Sequence, residues 1–471
     1  MKPLDLRKLR RYRDKLSILL FASLFLTLLM SRPAISLVMV EYRLPAVAYG
    51  MESRPRNIVT GNPDSNGPKW VVFTEQFSGK IGLIDRSSPN YFSKIKEFPL
   101  PVDTLLGNPE PWGIAFDTNP NYVWFTDVRQ NRIGRLDASG AGGGGSLIEW
   151  EIPTASSEPR GIFVNGTGGV WFTEWATGKI GRLEISGSTY TFTEWQLPDA
   201  LSQPNDIIVV GSMVYFTEYN KDRIGAYNAS SLPYVYPAAT IKEFILPSGS
   251  KPWSLVADPD GMIWFTCSGR NVIGVLNPYT GEVTEHRSIP TDSSEPRGIA
   301  FDNVTGNVWF TEYAGHKIAK YVPSENLFYE YPTLTPGSAP NDVTTQRYGL
   351  GANQTSSGTI DVWFTEYVGN SIGHISQGGP IETFGTTSTR TVTTLTSAVS
   401  ATYSAASSTT STTRGVITKP SATITPSAAA STTAAGTYAT STTLSETAYR
   451  LSTSTLGTST SYIVEVVYTT V

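Results

Sequence analysis

The sequence holds a single cysteine, Cys267, so no disulfide can form within the chain. Stability must then come from a large apolar core, which 471 residues can supply. Histidine is scarce too: His286, His316 and His374 stand apart in sequence. There is no His-Glu-x-x-His zinc motif, no Walker A loop and no Gly-x-Ser-x-Gly nucleophile turn. Those hydrolytic and nucleotide-binding chemistries are excluded at the level of motif. Cys267 has no evident partner for thiolate chemistry and reads as an inert, buried strand residue. Positive charge is also in short supply. Lys and Arg number 36 against 40 Asp and Glu, and beyond residue 15 the balance is 29 basic to 38 acidic. Such a body is a poor match for a phosphate backbone, so nucleic acid is not expected as a partner.

The basic residues missing from the body are concentrated at its start: Lys2, Arg7, Lys8, Arg10, Arg11, Arg13 and Lys15. They precede an apolar run from Leu16 to Met30 and the small-residue stretch Ala34-Ile35-Ser36. Residues 1–36 therefore read as a secretory signal peptide, or as a signal anchor holding the chain to the membrane if it stays uncleaved. Either reading places the body outside the cell or at its surface. Four Asn-x-Ser/Thr sequons begin at Asn165, Asn228, Asn303 and Asn353 and would permit glycosylation there.

The main signal is a repeat. Its core runs Val71-Val-Phe-Thr-Glu75, Val123-Trp-Phe-Thr-Asp127, Val170-Trp-Phe-Thr-Glu174, Val214-Tyr-Phe-Thr-Glu218, Ile263-Trp-Phe-Thr-Cys267, Val308-Trp-Phe-Thr-Glu312 and Val362-Trp-Phe-Thr-Glu366. Successive phenylalanines are 52, 47, 44, 49, 45 and 54 residues apart. That period suits four short strands per unit, and seven units predict an all-β, seven-bladed β-propeller over residues 37–384. Strand A follows a proline, strand B is the Trp-Phe-Thr-Glu segment, strand C is Ile-Gly-x-Leu, and strand D ends near a proline. A propeller must close its ring to hide its sheet edges. Glu41-Tyr-Arg-Leu-Pro45, upstream of the first strand A, is expected to complete the last blade and to displace Ile381–Phe384. Residues 385–471 are different: 44 of these 87 are Ser or Thr and six are charged. They are expected to form a disordered, mucin-like tail, with Ile463–Tyr468 a short terminal strand.

Topology locates a candidate site. Strand A begins, and strand B ends, on the same face. The residues after the strand-A prolines are Arg56, Trp112, Arg160, Asn205, Trp253, Arg297 and Asn341. Arginine, tryptophan and asparagine around a central opening suit a glycan, peptide or anionic small-molecule ligand, by charge-assisted bonds and stacking. The arginines alternatively pair with the neighbouring Glu. Five residues after most strand-B acids comes a base, as in Glu75–Lys80, Asp127–Arg132, Glu174–Lys179, Glu218–Arg223 and Glu312–Lys317. This spacing predicts cross-strand ion pairs worth about 0.2–1 kcal/mol each. The fifth unit loses both members, as Cys267 and Val272. The seventh keeps Glu366 but has Ser371 in place of the base. Glu366, Asn341 and Asp342 are then oxygen donors suited to Mg²⁺ or Ca²⁺.

The repeated Trp-Phe-Thr-Glu, followed by Ile-Gly-Arg-Leu and preceded by Pro-x-Gly-Ile, resembles the virginiamycin B lyase (streptogramin lyase) family over roughly Pro45 to Phe384. The resemblance implies a propeller enzyme that opens a cyclic depsipeptide by elimination, with Mg²⁺ as cofactor. It also implies Pro-His at strand A of the last two blades, one histidine serving as base. Here those positions are Arg297 and Asn341. The acid before the last Pro-His corresponds to Ala339, with Glu295 in that place one blade earlier, and the family's last-blade metal-binding Glu corresponds to Glu366. Two functions follow as expectations, beside that of a purely structural envelope component whose stalk matters more than its face. One is an exported, surface-displayed propeller that binds a ligand on its central face. The other is a metal-dependent enzyme, either lyase-like or lactonase-like, with Asn205 or Asn341 as a calcium ligand in the latter.

Overall fold

In the computed structural model, the described residues of the body are 37–45, 52–64, 67–86, 95–117, 122–138, 146–165, 169–230, 241–285, 288–347 and 360–377. The Phe-Thr core of every repeat lies in the second strand of a four-stranded antiparallel blade, and strands from beyond residue 385 extend the sheets of blades six and seven to five and seven strands. Blade three is representative: strand A is Pro159–Asn165, B Gly169–Glu174, C Lys179–Ser186 and D Thr189–Gln196. The strand-A spans of the seven blades are Pro55–Asp64, Pro111–Phe116, Pro159–Asn165, Pro204–Val210, Pro252–Ala257, Pro296–Asp302 and Pro340–Arg347.

Blade seven takes strands A to C from residues 340–377 and its outer strand from Leu37–Arg43. Glu41 lies opposite Gly373 and Tyr42 opposite Ile372, so the expected ring closure is present. The displaced segment Ile381–Phe384 lies outside the described residues. Beyond residue 385 the described stretches are strands, and Ser459–Tyr468, which contains the expected terminal strand, pairs with Thr447–Leu456.

The core sits between blades. Trp363, Tyr42, Val40 and Ile372 of blade seven pack with Ile58, Val71 and Phe73 of blade one. Within a blade, the strand-B Phe lies over the strand-C Gly. A Cβ on Gly181 would sit 2.2 Å from the Phe172 ring, so no side chain fits there unless the ring shifts. Blade six carries Ala319 at this place, fully buried against Phe310. A buried ion pair supplements the closure: Arg86, at the end of strand C in blade one, reaches Asp361 of blade seven at 2.9 Å. Asp361 also holds the Nε2 atom of His374 at 2.9 Å.

Candidate functional site

Each strand A opens with a bulge. Pro159 lies opposite Glu174 and Ile162 opposite Phe172, so Arg160 and Gly161 together face Thr173. The same register shift recurs at all seven prolines. The threonine hydroxyl serves both sides of it. Thr173 Oγ1 accepts from Gly161 N at 2.9 Å and donates to the Asn205 carbonyl of the next blade at 3.2 Å. Around the ring Thr74 donates to Trp112 O, Thr126 to Arg160 O, Thr217 to Trp253 O, Thr266 to Arg297 O and Thr311 to Asn341 O. Thr365 donates to Arg56 O at 2.7 Å and completes the circle. The motif's threonine thus fixes the backbone of every post-proline residue.

Those seven residues form a collar. Arg56 and Arg160 both lie over Trp112, with guanidinium carbons 3.1 and 4.2 Å from the ring centroid. Arg160 also covers Trp175, and Arg297 covers Trp253 and Tyr313. Aromatic contacts carry the ring onward from Trp175 through Tyr219 to Trp253, and from Tyr313 to Tyr367 beside Arg56. Two asparagines lock the arginines. Asn205 accepts from Arg160 at 3.4 Å and donates to Trp253 O, and Asn341 accepts from Arg297 at 3.2 Å and donates to Arg56 O. Trp175, Tyr219, Tyr313 and Tyr367 were not expected from the sequence. Each directly follows the motif acid, and that position is the signal that would have found them.

Electrostatically the collar is strained. Burial lowers the Arg56 pKa well below its usual value, and the charges of Arg160 and Arg297 add to the drop. Burial brings Arg160 down to about 9. Arg160 and Arg297 have weak partners in Glu158, at 3.8 Å, and Glu295, at 3.4 Å. Among the described residues, no carboxylate pairs with Arg56, whose terminal nitrogen donates to Gln76 at 3.1 Å. The Arg56 and Arg160 guanidinium carbons can be no farther apart than the sum of their distances to the Trp112 centroid, about 7 Å, so their charges repel by at least roughly 2 kcal/mol at an effective dielectric near 20. Beneath the collar a cavity of about 20 Å³, room for about one water, lies between Trp112, Trp253, Asn205 and Asn341. A wider channel of about 320 Å³, lined by both polar and apolar residues, adjoins it and shares Asn57, Asp206, Ser254 and Asp342 with it.

The strand-B acids correct the expected ion pairing. Glu75 lies opposite Lys80 and Glu174 opposite Lys179, as the spacing predicts. The bases pair instead with a strand-D glutamate: Lys80 with Glu97 at 2.6 Å, Lys179 with Glu194, Arg223 with Glu243, Lys317 with Glu330, and Arg132 with Glu149 and Asp103. The reason is hydration. The strand-D carboxylates are partly exposed, whereas Glu75, Asp127, Glu174, Glu218 and Glu312 are fully buried, so each base stays near water. Burial, reinforced by the strand-D glutamate, raises Glu174 and Glu312 to about 8 and Glu218 to about 7. In every blade this strand-D Glu lies opposite the strand-C Gly or Ala. It recurs before an aromatic or His residue and a nearby proline, a pattern legible in the sequence.

The candidate metal ligands have separate surroundings. Glu366 is pushed well above the carboxylate range by burial and by Glu41, and it neighbours Ser338. Asn341 is held by Arg56 and Arg297. Asp342, raised to about 7 by burial, accepts from the backbone of Ile58 and Val343. Among the described residues, no group of three or more His, Cys, Asp or Glu is placed to hold a metal ion. This donor set does not fit the Mg²⁺ that the resemblance implies, and no chemical step is derived through it. Of the histidines, His374 is buried against Trp363 on strand C, and His316, in the blade-six B–C turn, accepts from Ala339 N at 3.2 Å. His286 lies outside the described residues. Cys267 is buried as expected.

The fold and collar define a seven-bladed propeller with an arginine- and aromatic-lined central face. Residues 38–240 and 210–393 match the virginiamycin B lyase family, and the chain belongs to that family. It is similar to a solved streptogramin B lyase at 26% identity, covering 73% of this chain and 98% of that one, with a TM-score of 0.59. It is also similar to selenomethionine-substituted virginiamycin B lyase from Staphylococcus aureus, at 25% identity over 72% and 99% of the two chains, with a TM-score of 0.57. The same figures hold for a catalytically inactive histidine-to-alanine variant of that enzyme solved with quinupristin. No curated protein matches the chain in sequence.

Proposed function

We propose that this chain is an exported, surface-displayed propeller that binds a ligand on its collar and does not open streptogramin rings. The observation that carries this reading is Arg297 and Asn341 at the positions where the family resemblance calls for histidine. Elimination needs a base within reach of the abstracted proton. An arginine keeps its proton, and the Asn341 amide is committed to Arg56 and Arg297. That the histidine-to-alanine relative is catalytically inactive supports the same conclusion. Export is supported by the basic stretch and apolar run of residues 1–36. The test is incubation of the purified protein with a streptogramin B and Mg²⁺, followed by mass spectrometry. The intact ring is the expected result. Rapid ring opening that disappears in Glu366→Gln would establish the metal-dependent lyase instead.

A further inference from the structure

We infer that the collar's ligand carries carboxylates, held by the guanidinium edges of Arg56 and Arg160. The inference rests on the reading of the collar as a ligand site and adds the ligand's chemical class. Each of these aromatic rings already has a guanidinium against it: Trp112 has Arg56 and Arg160, Trp175 has Arg160, and Trp253 and Tyr313 have Arg297. A sugar ring or apolar side chain would have to compete with a guanidinium for at least one face of each ring. What the collar offers is three guanidiniums, and because their Nε atoms are buried without a hydrogen-bond partner, only the terminal nitrogens can face a ligand.

Charge leads to the same ligand. Arg56 is about 5% exposed, stands within the repulsion of two other guanidiniums, and pairs with no carboxylate among the described residues. The two guanidiniums over Trp112 are separated by no more than the sum of their distances from its centroid. One planar carboxylate can accept from both. The cavity below has room for about one water, so the ligand sits across the mouth and does not enter the channel. Arg297, on the far side of the ring, provides for a second carboxylate. This chemistry is met by a small polycarboxylate or by a uronate-bearing oligosaccharide.

The experiment is titration calorimetry on the full chain with citrate and with trigalacturonate, each set against its uncharged ester. At least one acidic probe is expected to bind, and the choice between the two identifies the source of the carboxylate. That binding should weaken at least about tenfold in Arg56→Gln and in about 0.5 M salt, and less in Arg56→Lys, which keeps the charge but not the fork. If Arg56→Gln does not fold, Arg160→Gln makes the same test. Equal binding of acid and ester would overturn the carboxylate class while leaving the collar a ligand site. Failure of both acids to bind, or binding indifferent to both arginine variants, would overturn the inference outright.

Discussion

Blades five and seven both depart from the repeat, in opposite ways. Blade five gives up acid and base together, and Cys267 and Val272 pack into an apolar cluster with Phe265, Leu255 and Leu276. Blade seven gives up only the base. Ser371 stands where Lys or Arg stands elsewhere, and Glu366 is left facing Glu41 with Ser338 beside it. Where both polar partners leave, packing repairs the site at little cost. Where one leaves, the other must be neutralised or must find a new partner. Blade seven is also where the chain closes on itself, with Glu41 supplied by the outer strand Leu37–Arg43 and tied to Leu334 and Thr335.

The largest test of this comparison is to make blade five resemble blade seven. Cys267→Glu places a buried carboxylate on strand B with Val272 opposite and no base. It is expected to lower stability by about 3–5 kcal/mol in chemical denaturation. Adding Val272→Lys should recover more than half of the loss. A single substitution as stable as the parent would show that the blade interior tolerates unpaired acid. The converse change is Glu366→Gln, which keeps the volume but removes the ionisable group and gives Glu41 a donor. It is expected to stabilise the chain by roughly 1–3 kcal/mol at neutral pH, read from the denaturation midpoint. The same change at Glu174, which sits beside a Lys179–Glu194 pair, should do less.

The buried acids also set a pH dependence. Glu174 and Glu312 titrate near 8 and Glu218 near 7 in the folded chain, against about 4.5 when unfolded. Between pH 4.5 and 8 the folded state therefore holds protons that the unfolded state has released. Stability must fall as pH rises through that window. Melting temperatures are expected to be highest near pH 5 and lower at pH 8.5. A curve that rises over this range would mean these acids are ionised and paired in the fold.

The blade count, the strand order and the closing strand were legible because each is written in the period and in the proline and glycine punctuation. Glu41–Pro45 stood out as one D-type strand more than seven blades need. The collar's backbone positions were legible too, from the prolines. What could not be read was direction and depth. Glu75 and Lys80 are opposite in register, yet register does not say that the carboxylate turns into the blade while the lysine leans outward to Glu97. Nor does a threonine present in every copy announce that its hydroxyl spans a bulge to the next blade, because that partner lies 30 to 40 residues away in most blades. The guanidinium–aromatic stacks between blades, Arg56 and Arg160 on Trp112 and Arg297 on Trp253, were likewise beyond reach, because spacing within one repeat carries no information about them, whereas Arg160 on Trp175 and Arg297 on Tyr313 lie within single repeats.

The smallest expected effect is the one that separates the two pairings of Lys179. Its ammonium lies 3.3 Å from Glu194 and 2.5 Å from Thr154 Oγ1, and it is about a quarter exposed. Lys179→Met should therefore cost only about 1 kcal/mol. A double-mutant cycle with Glu194→Gln should return a coupling of about 0.2–1 kcal/mol, in the range of partly exposed pairs. The parallel cycle with Glu174→Gln should return less, because a carboxyl titrating near 8 carries little charge at neutral pH for the lysine to feel. Repeating both cycles at pH 9, where Glu174 is ionised, should raise the second coupling and leave the first nearly unchanged. A stronger coupling to Glu174 at neutral pH would reinstate the hairpin pair that the sequence predicts and would require the blade-three acid to be charged in the fold.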